Sequence, residues 1–166
     1  MIEIKQGKRK LKDGEIRNVP CIVTIDSKVT IECKNEILFY IELKDFIIIL
    51  VNWYHASNLF DIFRNIFCYS KTDGSLLWQV EQTHTIKGEP LEKVYVGLGI
   101  RIKQEDGSYK PAGDLSPGEN TRPFWIKYID KPFRAGIDKF LARTFDGFQF
   151  YIDITNGKTD CYGYTK

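Results

Sequence analysis

Alanine is scarce in this 166-residue chain, with four residues against 21 isoleucines, and there are one methionine and two histidines. Alanine is the best helix former, so its near absence argues against a helical bundle. Long apolar runs are missing as well. The longest, Phe46–Val51, has six residues, far below the roughly 18 that a membrane-spanning helix needs. The first ten residues hold no apolar signal segment, so a cytoplasmic protein without a membrane partner is expected. The spacing of Cys21, Cys33, Cys68 and Cys161 contains no C-x-x-C pair, and His55 and His84 lie far from them. That excludes the common zinc sites and reads as packed, reduced thiols. Charge of one sign is lacking too: 11 basic and 11 acidic side chains occupy residues 1–83, and 13 and 11 occupy residues 84–166. No nucleic-acid partner follows from such a balance. The one basic run, Lys5, Lys8, Arg9, Lys10 and Lys12, is short enough to be a solvated edge.

What is abundant points to strands. Isoleucine and the 23 aromatic residues, 14% of the chain, suit a half-buried pleated surface. The length fits one domain, residues 1–166, able to bury roughly 68–70% of its unfolded surface. The expected fold class is mainly β: a single-domain antiparallel sheet, barrel or sandwich built from hairpins, about eight to ten strands, with one or two short helices.

Period-two alternation begins at Cys21. Cys21, Val23 and Ile25 share one face, and Val29, Ile31 and Cys33 share one face of the next strand. Both sets meet only if Ile25 opposes Val29, which leaves Asp26-Ser27-Lys28 as the loop and sets Cys21 opposite Cys33. Ile37, Phe39, Ile41 and Leu43 continue the pattern, and Phe46–Val51 reads as a strand buried on both faces. Ser57 is placed to cap a short helix over 57–64. Asp73-Gly74 and Asp146-Gly147 each read as a two-residue type I′ turn, setting Tyr69 opposite Trp78, Phe67 opposite Val80 and Phe145 opposite Phe148. Val94–Ile102 and 123–129 read as further strands, the first with a bulge or close packing at Gly97 and Gly99.

No nucleophile elbow, phosphate-binding loop, metalloprotease helix or dinucleotide fingerprint is present, so no enzyme is expected. His84, at a strand end, is the one acid–base candidate, and its polar setting reads as surface. The strand aromatics mostly share a face with Ile and Val, which makes them core before they are a stacking platform.

Several segments together carry a resemblance. They are Arg64-Asn65-Ile66-Phe67-Cys68-Tyr69, Asp73-Gly74-Ser75-Leu76-Leu77-Trp78-Gln79-Val80, Tyr95-Val96-Gly97, and Phe145-Asp146-Gly147-Phe148 through Tyr151, Asp153 and Gly157-Lys158. Within 64–164 this resembles small bacterial β proteins found among immunity proteins of contact-dependent growth inhibition and related polymorphic toxin systems. The chain departs from that pattern where Phe145 stands for a Trp and where Asn156 interrupts a Thr-Gly pair. Residues 103–122 look like an insertion, and residues 1–53 are N-terminal strands without a counterpart. The resemblance implies an immunity protein that neutralises the C-terminal domain of a cognate toxin by stoichiometric binding, with no cofactor and no metal. The alternative is a β-barrel holding a small apolar or sugar-like ligand among its aromatics.

The polar, Gly- and Pro-rich stretch from Lys103 to Arg122 is the longest segment without an apolar pattern, and such loops are commonly functional. Its Glu105, Asp106, Asp114 and Glu119, with Tyr109 as an aromatic anchor and Arg122 at its end, form the expected partner-binding tip. An acidic tip of this kind suits the basic cleft of a nuclease toxin.

Overall fold

In the computed structural model the alternation from Cys21 onward is realised as strands whose buried and exposed residues follow one another. The structure describes residues 1–6, 11–12, 15–16, 21–54, 56–84, 87–99, 101–103, 109–111, 124–127 and 139–164. The strands among them are β1 (Ile2–Gln6), β2 (Leu11–Lys12), β3 (Glu15–Ile16), β4 (Cys21–Ile25), β5 (Val29–Cys33), β6 (Ile37–Glu42), β7 (Phe46–Val51), β8 (Ile66–Ser70), β9 (Leu76–Gln79), β10 (Tyr95–Gly99), β11 (Arg101–Lys103), β12 (Tyr109–Pro111), β13 (Phe124–Lys127), β14 (Lys139–Thr144), β15 (Phe148–Asp153) and β16 (Thr159–Tyr164). The number exceeds the eight to ten expected, partly because short polar segments pair into the minor hairpins β2–β3 and β11–β12.

Three larger sheets, ordered β1-β4-β5, β13-β6-β7-β8-β9 and β10-β14-β15-β16, form the body. The middle sheet has apolar side chains on both faces. Ile47, Ile49 and Val51 of β7 share a core with Cys21, Val23, Ile25, Ile31 and Cys33 of the first sheet. Ile48 and Leu50 of the same strand share a second core with Tyr95, Phe140, Ala142, Phe150 and Ile152 of the third. The six-residue apolar run is therefore the strand buried on two sides that its composition implies. The outer face of the first sheet carries Glu3, Lys5, Ile22, Thr30 and Glu32, all exposed or half-buried. That largely polar face ends the stack on its side. The architecture is a three-layer sandwich, and the described strands close no barrel.

The first hairpin has the register expected: Ile25 faces Val29 and Cys21 faces Cys33. Its loop puts two non-glycine residues, Asp26 and Ser27, at positive φ of 49° and 56°. Among the described strands the pairing is antiparallel except where β13 joins β6 in parallel. A bulge interrupts β10 between Tyr95 and Gly97, and a Cβ at Gly97 would meet nothing within 4 Å. Of the two readings of that glycine, the bulge is right and close packing is not.

Both Asp-Gly turns differ from the expected type I′ form. Only the glycines, Gly74 and Gly147, have positive φ, whereas type I′ demands it at both central residues. The β14–β15 connection is a three-residue loop, Phe145-Asp146-Gly147, closed by the Gly147 amide on the Thr144 carbonyl at 3.1 Å. Phe145 consequently lies in the loop and not opposite Phe148. The β8–β9 connection is a four-residue loop, Lys71 to Gly74, in which Gly74 N–H donates to Ser70 O and Ser70 N–H to Ser75 O. That length, with a bulge in β9, sets Trp78 opposite Cys68 and Phe67 opposite Gln79, replacing the Tyr69–Trp78 and Phe67–Val80 pairs.

The same four-residue loop recurs between β15 and β16, with Gly157 N–H donating to Asp153 O and Asp153 N–H to Lys158 O. Each loop leans on another layer through its glycine. A Cβ at Gly74 would stand 3.0 Å from Val29 Cγ1 of the first sheet, and one at Gly157 would stand 2.7 Å from Trp78 Cε3 of the middle sheet.

Among the described residues helix is confined to a 3₁₀ turn, Ile62–Arg64. Asp61 caps it, accepting from Phe63 N–H at 3.1 Å, and Ser57 does not begin a helix as expected. Ile66 is drawn into β8, where burial against β7 outweighs the helical spacing of the segment.

Candidate partner-binding surface

The β7 strand leaves the core at Asn52, and two buried asparagines shape the chain beyond it. Asn35 donates from Nδ2 to the carbonyls of Asn52 at 2.9 Å and Tyr54 at 3.3 Å. Asn52 donates to Glu36 Oε2 at 2.9 Å and accepts from the Tyr54 amide at 2.9 Å. Hydrogen bonds of this kind satisfy backbone groups that no ladder reaches, and they hold the loop in one conformation. That loop displays Trp53, half-buried, and Tyr54, 45% exposed.

Phe145 arrives from the third sheet. It is 74% exposed at the first position of its loop, and the loop is fixed from three sides. Thr144 Oγ1 donates to Asp146 Oδ1 at 2.7 Å and accepts from Phe148 N–H at 3.0 Å, while Phe145 N–H donates to Val94 O at 3.1 Å. The Trp53 ring is edge-on to both neighbours, 5.7 Å from Tyr54 and 6.3 Å from Phe145 by centroids. Lys93 pairs with Asp146 and stands 5.6 Å over the ring of Phe148. Burial alone would raise the Asp146 carboxyl, but hydrogen bonds from Lys93 and Thr144 outweigh it and hold the group below its ordinary range.

Three aromatic rings brought from two layers, Phe145 largely and Tyr54 partly exposed, make an apolar patch of the composition that anchors protein interfaces. Sequence reasoning did not select it, because aromatics in a β-rich chain read first as core. One signal was available: a phenylalanine directly before Asp-Gly lies in a turn, where it has no sheet face to fill.

Of the residues expected to bind a partner, Tyr109 alone is among those the structure describes. Glu105, Asp106, Asp114, Glu119 and Arg122 lie outside the described residues, as does His55. Tyr109 is not in an unstructured loop; it begins β12, opposite Lys103 of β11. His84 is exposed and makes an isolated bridge to Pro90. Among the described residues no three His, Cys, Asp or Glu side chains are grouped to hold a metal ion, and no helix is long and apolar enough to cross a membrane.

Several residues that carry the family resemblance serve the fold. Asn65, buried, donates to the carbonyls of Val51 and Tyr95 at 2.9 Å each and accepts from Tyr95 N–H at 3.1 Å, tying the middle sheet to the third. Trp78 donates to Ile154 O, and Gly157 makes room for its ring. Comparison with known families, curated proteins and solved structures finds no match.

Proposed function

We propose that the protein is an immunity protein, which neutralises a cognate bacterial toxin domain by stoichiometric binding through the Trp53, Tyr54 and Phe145 patch. The observation that carries this reading is the pre-organisation of the patch. Its backbone is held by buried asparagines and by the Thr144–Asp146 hydrogen bond before any partner arrives. Pre-organised aromatic anchors lose little entropy on binding, so little of the interaction energy is spent on ordering. The resemblance in the hairpins at 64–80 and 145–158 supplies the class of partner. Blocking a toxin requires only that its working surface be covered, so no chemistry is asked of this chain.

The test is to ask whether a toxin-like open reading frame lies immediately upstream and to co-express its C-terminal domain with this chain. Restored growth together with a 1:1 complex by native mass spectrometry supports the reading. Absence of both from a folded protein rejects it.

A further inference from the structure

Cys21 of β4 and Cys33 of β5 stand directly opposite one another, both buried and both free, in the core between the first and middle sheets. Cys68 lies in the other core. Asp26 N–H turns to Met1 O beside β1, and Ile25 O accepts from Lys28 inside the hairpin, so by alternation Ile25, Val23 and Cys21 aim their backbone groups at β5. An opposed pair of that kind has Cα atoms about 5.5 Å apart, inside the roughly 4.4–6.8 Å that a disulfide spans. Opposed Cβ atoms, however, stand about 4.5–5.5 Å apart, against roughly 3.5–4.5 Å in a disulfide. A bond here would draw the strands together, and a bond under such tension is readily reduced again. Burial first, and then the Cys21 sulfur beside it, hold the Cys33 thiol up to about 12.

The pair also touches the support of the Trp53–Tyr54 loop. The turn from β5 to β6 starts at Cys33 and ends at Ile37, whose backbone amide hydrogen-bonds the Cys21 sulfur. Between them Asn35 donates to the carbonyls of Asn52 and Tyr54, and Glu36 O accepts from Asn52 N–H at 2.7 Å. We infer that Cys21 and Cys33 form a reversible dithiol–disulfide switch that, through this turn, resets the loop carrying Trp53. The inference stands on the strand pairing and these hydrogen bonds, and it goes beyond the binding reading above. The oxidant is a small disulfide. The Cys33 thiolate, freed by local opening of β5 at the edge of its sheet among the described strands, attacks one sulfur of the oxidant and expels a thiolate. The Cys21 thiolate then attacks the Cys33 sulfur of the mixed disulfide and expels the second. One S–S bond is exchanged for another, the dithiol gives up two electrons, and its two protons leave on the two released thiols.

The full chain is incubated at mildly alkaline pH with glutathione disulfide and then with reduced glutathione, while the indole ¹H–¹⁵N signal of Trp53, assigned with Trp53→Phe, is followed by NMR. Trypsin cuts after Lys28, between the two cysteines, so after alkylation of free thiols a linked peptide pair reports the bond. The expected result is a Cys21–Cys33 link that forms in the folded chain, a Trp53 signal that shifts in step with it, and reversal of both by reduced glutathione. Cys21→Ala and Cys33→Ala, checked for folding by circular dichroism, should each lose the link and the shift. The wild-type chain decides the question even where an alanine variant fails to fold. A folded chain whose thiols stay free or take up only single glutathiones overturns the inference, as does a link that forms only in urea. So do a link that reduced glutathione leaves intact, a link that leaves the Trp53 signal in place, and a shift that persists in either folded variant. None of these readouts depends on a toxin, so their failure leaves the binding reading to its own test.

Discussion

The indole Nε1 of Trp78 donates a 2.8 Å hydrogen bond to the carbonyl oxygen of Ile154, joining positions 76 residues apart. The same ring fills the space that a side chain at position 157 would need, since a Cβ there would come within 2.7 Å of Cε3. Replacing Gly157 by Ala adds this clash to the strain of a φ of +73°, and the expected destabilisation is about 2–4 kcal/mol. Gly88 has a similar φ of +82° with nothing within 4 Å of its notional Cβ, so Gly88→Ala should lose only about 1 kcal/mol. Urea denaturation of the two variants checks the difference.

The Asn65 side chain makes three hydrogen bonds in the interior and joins β7 to β10. Asn65→Ala should destabilise by at least about 2 kcal/mol, because buried groups of Val51 and Tyr95 lose their partner. Asn65→Asp should be worse. A carboxylate cannot donate to either carbonyl and brings a buried charge beside them. Equal stability of wild type and Asn65→Asp in denaturant melts at neutral pH would refute the bridging role.

Burial pushes the thiols of Cys21, Cys33 and Cys68 up from 9.0 to about 11, about 12 and about 12. The folded state therefore retains these protons above pH 9, where the unfolded chain releases them. Their contribution to stability is constant below pH 9 and falls as pH rises from 9 towards 12. Stability measured by urea melts across that range should decline, and less so in Cys68→Ala. The three thiols should also react with a disulfide reagent at pH 8 only at the rate of opening or unfolding.

Ser27 is a non-glycine residue at a φ of 56°. Ser27→Gly should relieve that strain and stabilise the protein by up to about 1 kcal/mol, after allowing for the added freedom of glycine in the unfolded chain. A thermal melt showing a lower midpoint would mean that the serine hydroxyl contributes more than the backbone conformation takes away.

How much of this was legible depends on what each residue had to satisfy. The pairing of Cys21 with Cys33 could be read because only one register keeps both apolar sets on one face. The two-sided run at 46–51 was equally plain, since nothing but burial on both faces suits consecutive isoleucines in a strand. The Asp-Gly turns were located but mistyped. Asp73 and Asp146 take no positive φ, and instead accept hydrogen bonds from Ser75 and Thr144, so their loops are longer and each following strand shifts register. The aromatic patch was not legible, because it depends on Trp53 and Phe145 meeting across two layers more than 90 positions apart, and no local pattern encodes that meeting.

The central claim, that the aromatic patch binds a toxin domain, is tested most directly by isothermal titration of that domain with wild type and Phe145→Ala. Circular dichroism and melting temperature of the variant should match wild type, since the ring is 74% exposed. The account predicts a 1:1 complex and an affinity loss of at least about 30-fold on removing the ring, the scale of an interface anchor worth about 2 kcal/mol. An unchanged affinity in the folded variant would contradict it.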